Sequence, residues 1–315
     1  MTRKARLAGA VLGLVAAFAC YGCAPVGAVL DSDRPEAHAD SLDTAREQIS
    51  NLEQSRKNLQ AQVHGLPSAA PASGLDLATQ FAALDRKLGG TNGISVMPVG
   101  SRTQALGAGT LTSTVAWSTI KVPLAIASVR ADGGRPSATT AALLRRAITQ
   151  SDNAAAEKLW ARLGSPTAAA RAVEAVLRDA GDPKTQVESR RVRAGYTPFG
   201  QTVWPLARQT QFAARLPCLS GTDAVLSAMG QVVPSQRWGL GRLTGARFKG
   251  GWGPGTDGRY IARQFGIVTL PQGGQVAVAI ASQPADGSFA TATAHLNVMA
   301  TWLQSRLPAF TGGHC

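Results

Sequence analysis

Ser118 and Lys121 stand three residues apart in the apolar run WSTIKVPLA, residues 117–125. A serine hydroxyl is a poor nucleophile until a base takes its proton, and an amine serves as that base when burial or a neighbouring cation lowers its pKa. Spacing of three puts both side chains on one helix face, a turn apart. Ser-x-x-Lys arises by chance about once in every few hundred residues, so the pair alone decides nothing. Two further groups give it company. Ser151-Asp152-Asn153 supplies a second hydroxyl and an amide, and Lys249-Gly250-Gly251 a second amine beside two glycines. Each also has a plain structural reading: a helix cap, a lysine reaching water, an interhelical turn, a solvated strand residue.

The elements that must position these groups follow from the pattern around them. Residues 118–130 suit a buried helix, with Pro123 tolerated in its first turns. SATTAALLRRAITQ and NAAAEKLWARL read as two helices joined at the Ser151 tripeptide, and SPTAAARAVEAVLRDAG as a third, opened by a serine cap and a proline. LDLATQFAALDRKL has helical period and ends at Gly89-Gly90; GISVMPV and the segment around Leu106 suit a short hairpin. FKGGW, RQFGIVTLP and QVAVAIAS read as three antiparallel strands, followed by a terminal helix over TATAHLNVMATWLQSRL. The expected fold is α/β in the α+β sense: an antiparallel sheet flanked by helices, plus an all-helical subdomain.

In this order and on these elements, the three groups resemble the S-x-x-K, S-D-N and K-T-G signature of class A β-lactamases and penicillin-binding proteins. AITQSDNAAAEKLW is similar to the helix-loop-helix that carries S-D-N in that family, and the resemblance covers residues 75 to about 307. It implies a β-lactamase/transpeptidase-like domain with Ser118 as the acylated nucleophile and Lys121 as its proton acceptor. Ser151 would relay the proton to the leaving nitrogen with electrostatic help from Lys249. Asn153, Gly251 and Trp252 would bind substrate, the backbone N–H groups of Ser118 and Trp252 forming an oxyanion hole, and Lys249 would attract a substrate carboxylate. An oxyanion donor is worth about 3 kcal/mol.

Three departures set the chain apart from that family. The loop that carries the deacylating glutamate in class A enzymes, in an E-x-x-L-N context, here reads TQVESRRVRAGYTPFGQTVWPLARQ, with Glu188 as its only carboxylate and Arg190, Arg191 and Arg193 making it basic. Gln201 is the remaining candidate there for orienting a water or the substrate, although turn packing explains it too. K-T-G has become K-G-G, so Gly250 lacks the hydroxyl that helps bind a carboxylate. The stretch from Ser118 to Ser151 is also roughly half the typical length, implying a more open cleft. All three argue against an efficient β-lactamase.

The N-terminus reads as an export signal. MTRKAR is positively charged, LAGAVLGLVAAFA is a short apolar stretch, and Cys20 follows small residues in the manner of a bacterial lipobox, better placed than Cys23. An ordinary signal peptide with incidental cysteines is the alternative. Residues 21–40 suit a flexible tail. Leu42, Ala45, Ile49, Leu52, Leu59 and Val63 give residues 41–64 a heptad-like helix fit for a weak dimer or a spacer, and residues 65–74 a linker to a domain over 75–315. Cys218 and Cys315 leave two readings, a disulfide at the C-terminal end or one buried and one frayed thiol.

The 315 residues carry a net charge of +13, mostly as scattered arginine. No basic stripe with interleaved aromatics points to nucleic acid, and work beside an anionic lipid or wall polymer accounts for the charge. No His, Cys and carboxylate cluster has metal-ligand spacing, no phosphate-cradling GxxxxGK[ST] loop occurs, and no cofactor is implied. Of His38, His64, His295 and His314, only His295 lies where a Ser-His-Asp triad could recruit it, with no supporting motif. The expectation is an exported lipoprotein of bacterial, actinobacterial type, held at the membrane and facing the wall, or else secreted. It would be a serine hydrolase acting on a cell-wall peptide or ester. The alternative is a degenerate relative that binds peptidoglycan fragments or a partner protein.

Overall fold

The structure, a computed structural model, describes residues 76–315. The expected signal segment, Cys20, the heptad-like helix of 41–64 and the linker of 65–74 lie outside the described residues. The chain opens with α1 (Leu77–Leu88), whose cap Asp76 accepts a hydrogen bond from the Thr79 amide. The hairpin β1 (Thr91–Pro98) and β2 (Leu106–Gly109) follows, then the short β3 (Ser113–Val115). One 3-10 turn, Trp117–Ile120, leads into α2 (Lys121–Ala131). Three helices come next: α3 (Ala138–Thr149), α4 (Asn153–Arg162) and α5 (Pro166–Asp179). A loop reaches β4 (Val203–Pro205), α6 (Leu206–Arg215) and α7 (Asp223–Met229). The strands β5 (Arg247–Pro254), β6 (Tyr260–Thr269) and β7 (Gln275–Gln283) precede the long α8 (Phe289–Gln304).

Five strands form an antiparallel sheet in the order β2-β1-β7-β6-β5, which leaves β5 at an edge. Strand alternation sorts its two faces. On β7, Val276, Val278 and Ile280 pack with Phe81 of α1 and with Leu296, Met299 and Leu303 of α8. Ala277, Ala279 and Ala281 face the other way, beneath the helical lobe that includes α6. Small side chains there let a helix lie close to the sheet. Within that lobe α2 is covered on all sides, with every residue from Lys121 to Val129 buried and all but Lys121 and Ser128 apolar, as suits a central helix.

One sequence expectation changes in detail, and some elements carry no expectation at all. The helix expected over 118–130 begins as a 3-10 turn that holds Ser118, and the α-helical bonds start at Lys121. The second sheet, β3 paired with β4, and the helices α6 and α7 were not foreseen. Cys218 and Cys315 are joined by a disulfide, with Cα atoms 5.2 Å apart. Among the described residues no helix is long and apolar enough to cross a membrane.

Candidate active site

Ser118 stands half-buried on the 3-10 turn at the head of α2. A helix start offers backbone N–H groups with no partner inside the helix, and a positive local field. Trp117, just before Ser118, is held at φ +50°, and Ser151 at +58°; they are the two non-glycine residues in the left-handed region among the described residues. Such conformations cost of order 1–3 kcal/mol each and persist only where surrounding contacts fix them.

Those contacts are visible. Lys121, one turn into α2, is 1% exposed. Its Nζ donates to the carbonyl of Ser151 at 2.6 Å and to Asn153 Oδ1 at 2.7 Å. The left-handed turn at Ser151 therefore aims a carbonyl inward at the amine. Burial pulls Lys121 down to about 7, against the opposing charges of Asp152 and Glu157. Near neutrality a large share of these amines is unprotonated and able to accept a proton. Asp152 caps α4 by accepting from Ala155 N at 2.9 Å, and it also pairs with Arg146. Its place in the tripeptide is structural.

Lys249 lies on edge strand β5, fully buried. Its Nζ donates to Ser151 Oγ at 2.9 Å and to the Gly250 carbonyl at 2.7 Å. Burial, reinforced by the Lys121 charge, holds it well below the ordinary lysine range. Ser151 thus lies between two amines, its carbonyl on one and its hydroxyl on the other. Gly251 brings β5 against the turn that carries Ser118 so closely that a Cβ there would sit 2.8 Å from the Ser118 amide nitrogen and 2.9 Å from the Ala116 carbonyl. Trp252 follows on the same open edge, where outward backbone groups have no strand partner. A Cβ at Gly253 would run into the Trp117 ring.

The structure thus brings Lys121, Ser151, Asn153 and Lys249 into one hydrogen-bonded cluster, with the Ser118 turn packed against Gly251. Gln201 has a different neighbour. It is 7% exposed on the turn Phe199–Gln201, accepts from Arg193 Nη1 at 3.4 Å, and its Nε2 has no partner among the described residues. Glu188 is folded back on its own loop, its Oε1 accepting from Arg190 N at 2.7 Å.

Several contributing residues were not singled out from sequence. Arg193, expected only as part of a basic loop, stacks on Tyr196 at 4.4 Å from the ring centroid and donates to the carbonyl of Pro254 at 2.9 Å, tying the loop to the end of β5. Arg263 on β6 is fully buried and donates to the carbonyls of Thr114, Val115 and Trp204 and to Gln209 Oε1. Burial pushes it down to about 9. Gln209 in turn donates to Thr119 Oγ1, which donates to the Ala116 carbonyl. This chain of bonds fixes the turn that carries Ser118. The signal for Arg263 was a charged residue, next to Gln264, inside a strand whose other buried residues are mostly apolar.

His295 does not build a second site. Its Nδ1 is 3.0 Å from Ser282 Oγ, but Ser282 is fully buried and its hydroxyl donates to Asn92 Oδ1. No group of three or more His, Cys, Asp or Glu suited to a metal ion occurs among the described residues.

The sheet, the helical lobe and this cluster together define a β-lactamase-like fold. Among solved structures, a β-lactamase from Chitinophaga pinensis aligns at a TM-score of 0.58 with 17% identity, covering 72% of this chain and 97% of its own. A class A β-lactamase from Mycobacterium abscessus aligns at 0.56 with 18% identity, covering 71% and 98%. An ancestral (GNCA) class A β-lactamase aligns at 0.53 with 21% identity, covering 72% and 100%. No protein-family model and no curated protein sequence matches the chain.

Proposed function

We propose that the protein is a serine hydrolase that acts on an amide or ester of the cell envelope through an acyl-enzyme on Ser118, and that it is a poor β-lactamase. The observation that carries this reading is the hydrogen-bonded set of Lys121, Ser151, Asn153 and Lys249 beside the Ser118 turn. In the proposed reaction Ser118 Oγ attacks the carbonyl carbon while its proton passes to neutral Lys121. Backbone N–H groups of Ser118 and Trp252 take the oxyanion charge. As the bond to the leaving nitrogen or oxygen breaks, Ser151 gives that atom its hydroxyl proton and takes up the one Lys121 accepted, so both return to their starting forms. Water then adds to the acyl carbon, releasing the acid and restoring the Ser118 hydroxyl.

The last step lacks a dedicated base. Glu188, the loop's only carboxylate, is engaged by Arg190, so deacylation is slow. An exported chain anchored through lipid on Cys20 fits the N-terminal sequence and the arginine-rich charge. The test is intact-mass spectrometry of the protein with a penicillin and a cephalosporin, beside Ser118→Ala. A long-lived adduct absent from Ser118→Ala supports a working nucleophile. No adduct with these or with peptidoglycan-peptide and ester substrates sinks the reading and leaves the alternative, an envelope lipoprotein that binds wall fragments or a partner protein.

A further inference from the structure

The family resemblance implies a carboxylate subsite built from Lys249 and a hydroxyl at position 250; here Gly250 supplies no hydroxyl, and Lys249 already gives two of its three donors to the protein. Lys249 is fully buried with hydrogen bonds to Ser151 and Gly250. At Gly250 a Cβ would lie 3.1 Å from Trp238 Cη2 and 3.4 Å from Cζ2, so the indole stands over this position. The ring is held there. Gln264, the cross-strand partner of Gly250, donates to the Trp238 carbonyl at 2.7 Å and accepts from the Leu240 amide at 2.7 Å, while Asn297 accepts from the Gly239 amide at 2.8 Å.

Trp238 is the end of a larger surface. Strand alternation puts the Trp252 side chain on the same face as Gly250, and the two indoles meet edge-on at 5.8 Å between centroids. Phe289 lies 5.7 Å from Trp252 and Tyr260 lies 5.9 Å from Phe289. All four residues are half-buried. Trp238 and Trp252 pack in part on the core between the sheet and α8, on the face of edge strand β5 opposite to Gly251 and the Ser118 turn. Such rings recognise apolar and flat groups through burial and edge-to-face contact.

We infer that Trp238 and Trp252 set the specificity of this site: the group of the substrate that lies along β5 beside Gly250 is uncharged and apolar, an aryl or alkyl ring, in place of a carboxylate. The inference rests on the hydrolase reading for its substrate, and the binding surface can be tested without it.

The test uses a matched pair of aryl esters, one neutral and one carrying a ring carboxylate, with acylation of the protein followed by mass and by release of the phenol. The native protein is expected to favour the neutral ester at least tenfold in kcat/KM. Trp238→Leu should erase most of that preference through KM, with kcat nearly unchanged. Trp238→Leu combined with Gly250→Thr should turn the preference toward the carboxylate. Equal treatment of both esters by the native protein, or an equal loss on both in Trp238→Leu, overturns the inference. The binding arm uses Ser118→Ala and the corresponding neutral and carboxylated aryl amides, titrated by ligand-observed NMR. Saturable binding of the neutral amide, lost with Trp238→Leu, upholds the aromatic surface even where no ester acylates Ser118. No binding of either amide, or tighter binding of the carboxylated one, refutes it.

Discussion

Proton acceptance by Lys121, as proposed, would tie the rate of Ser118 acylation to pH in a way that can be worked out beforehand. With a pKa of about 7, half of the Lys121 amines are neutral at pH 7, about 1% at pH 5 and about 90% at pH 8. The second-order rate of acylation should therefore rise about tenfold per pH unit below 7 and level off above it, gaining close to 100-fold from pH 5 to 8. Burial lowers this pKa, while Asp152 and Glu157 raise it. Asp152→Asn keeps a side chain that caps α4 but removes the charge. The knee of its profile should move to lower pH. The assay is stopped-flow or quenched-mass labelling of Ser118 with one acylating ester across pH 5 to 10, with the ester's own hydrolysis subtracted. A rate that stays flat from pH 5 to 8 would refute Lys121 as the acceptor. A knee that moves upward in Asp152→Asn would refute the electrostatic account even if the native profile had the expected shape.

Other outcomes follow from the same structure. Lys121 holds fewer protons folded than unfolded between pH 7 and 10, so it should make stability rise with pH there by up to about 1.4 kcal/mol per unit, and Lys249, also lowered by burial, adds a slope of the same sign. Urea melts of Lys121→Met should show a shallower slope than the native protein, with the Lys249 part remaining. Gly251→Ala puts a Cβ against backbone atoms of Ala116 and Ser118 that have no slack, and acylation should fall at least 100-fold while circular dichroism stays native. Arg263→Met leaves three carbonyls and Gln209 Oε1 without their donor, which at about 1–3 kcal/mol each should cost at least 4 kcal/mol in chemical denaturation. Cys218→Ser opens a link across 97 residues of sequence. On chain-entropy grounds it should lose about 4–5 kcal/mol, with reductant lowering the native Tm but not the variant's.

Much of the fold was legible because its long elements carry strong periods. Valine and alanine alternate along QVAVAIAS, and the Ser165 cap followed by Pro166 marks the start of the helix over 166–179. The site was legible as three short motifs because their order along the chain is that of the elements that carry them. What stayed hidden has physical causes. Strands β3 and β4 have three residues each, too few to show a period. Helix α6 buries Gln209 and Thr210 alongside Leu206 and Phe212, so polar letters interrupt its apolar stripe. Both polar residues are there for hydrogen bonds made far away in sequence, to Thr119, Arg263 and Ser95. Trp238 over Gly250 joins positions on separate elements, and no local pattern connects them.

The fit between Trp238 and Gly250 also couples the two positions for redesign. A Cβ at 250 would lie 3.1 Å from the indole and ask it to give by a few tenths of an ångström, and threonine adds two heavy atoms beyond it. On the proposed reading, substitutions at 238 and 250 should therefore not add: Gly250→Thr is expected to gain more toward a carboxylated substrate in a chain that already carries Trp238→Leu than in the native one.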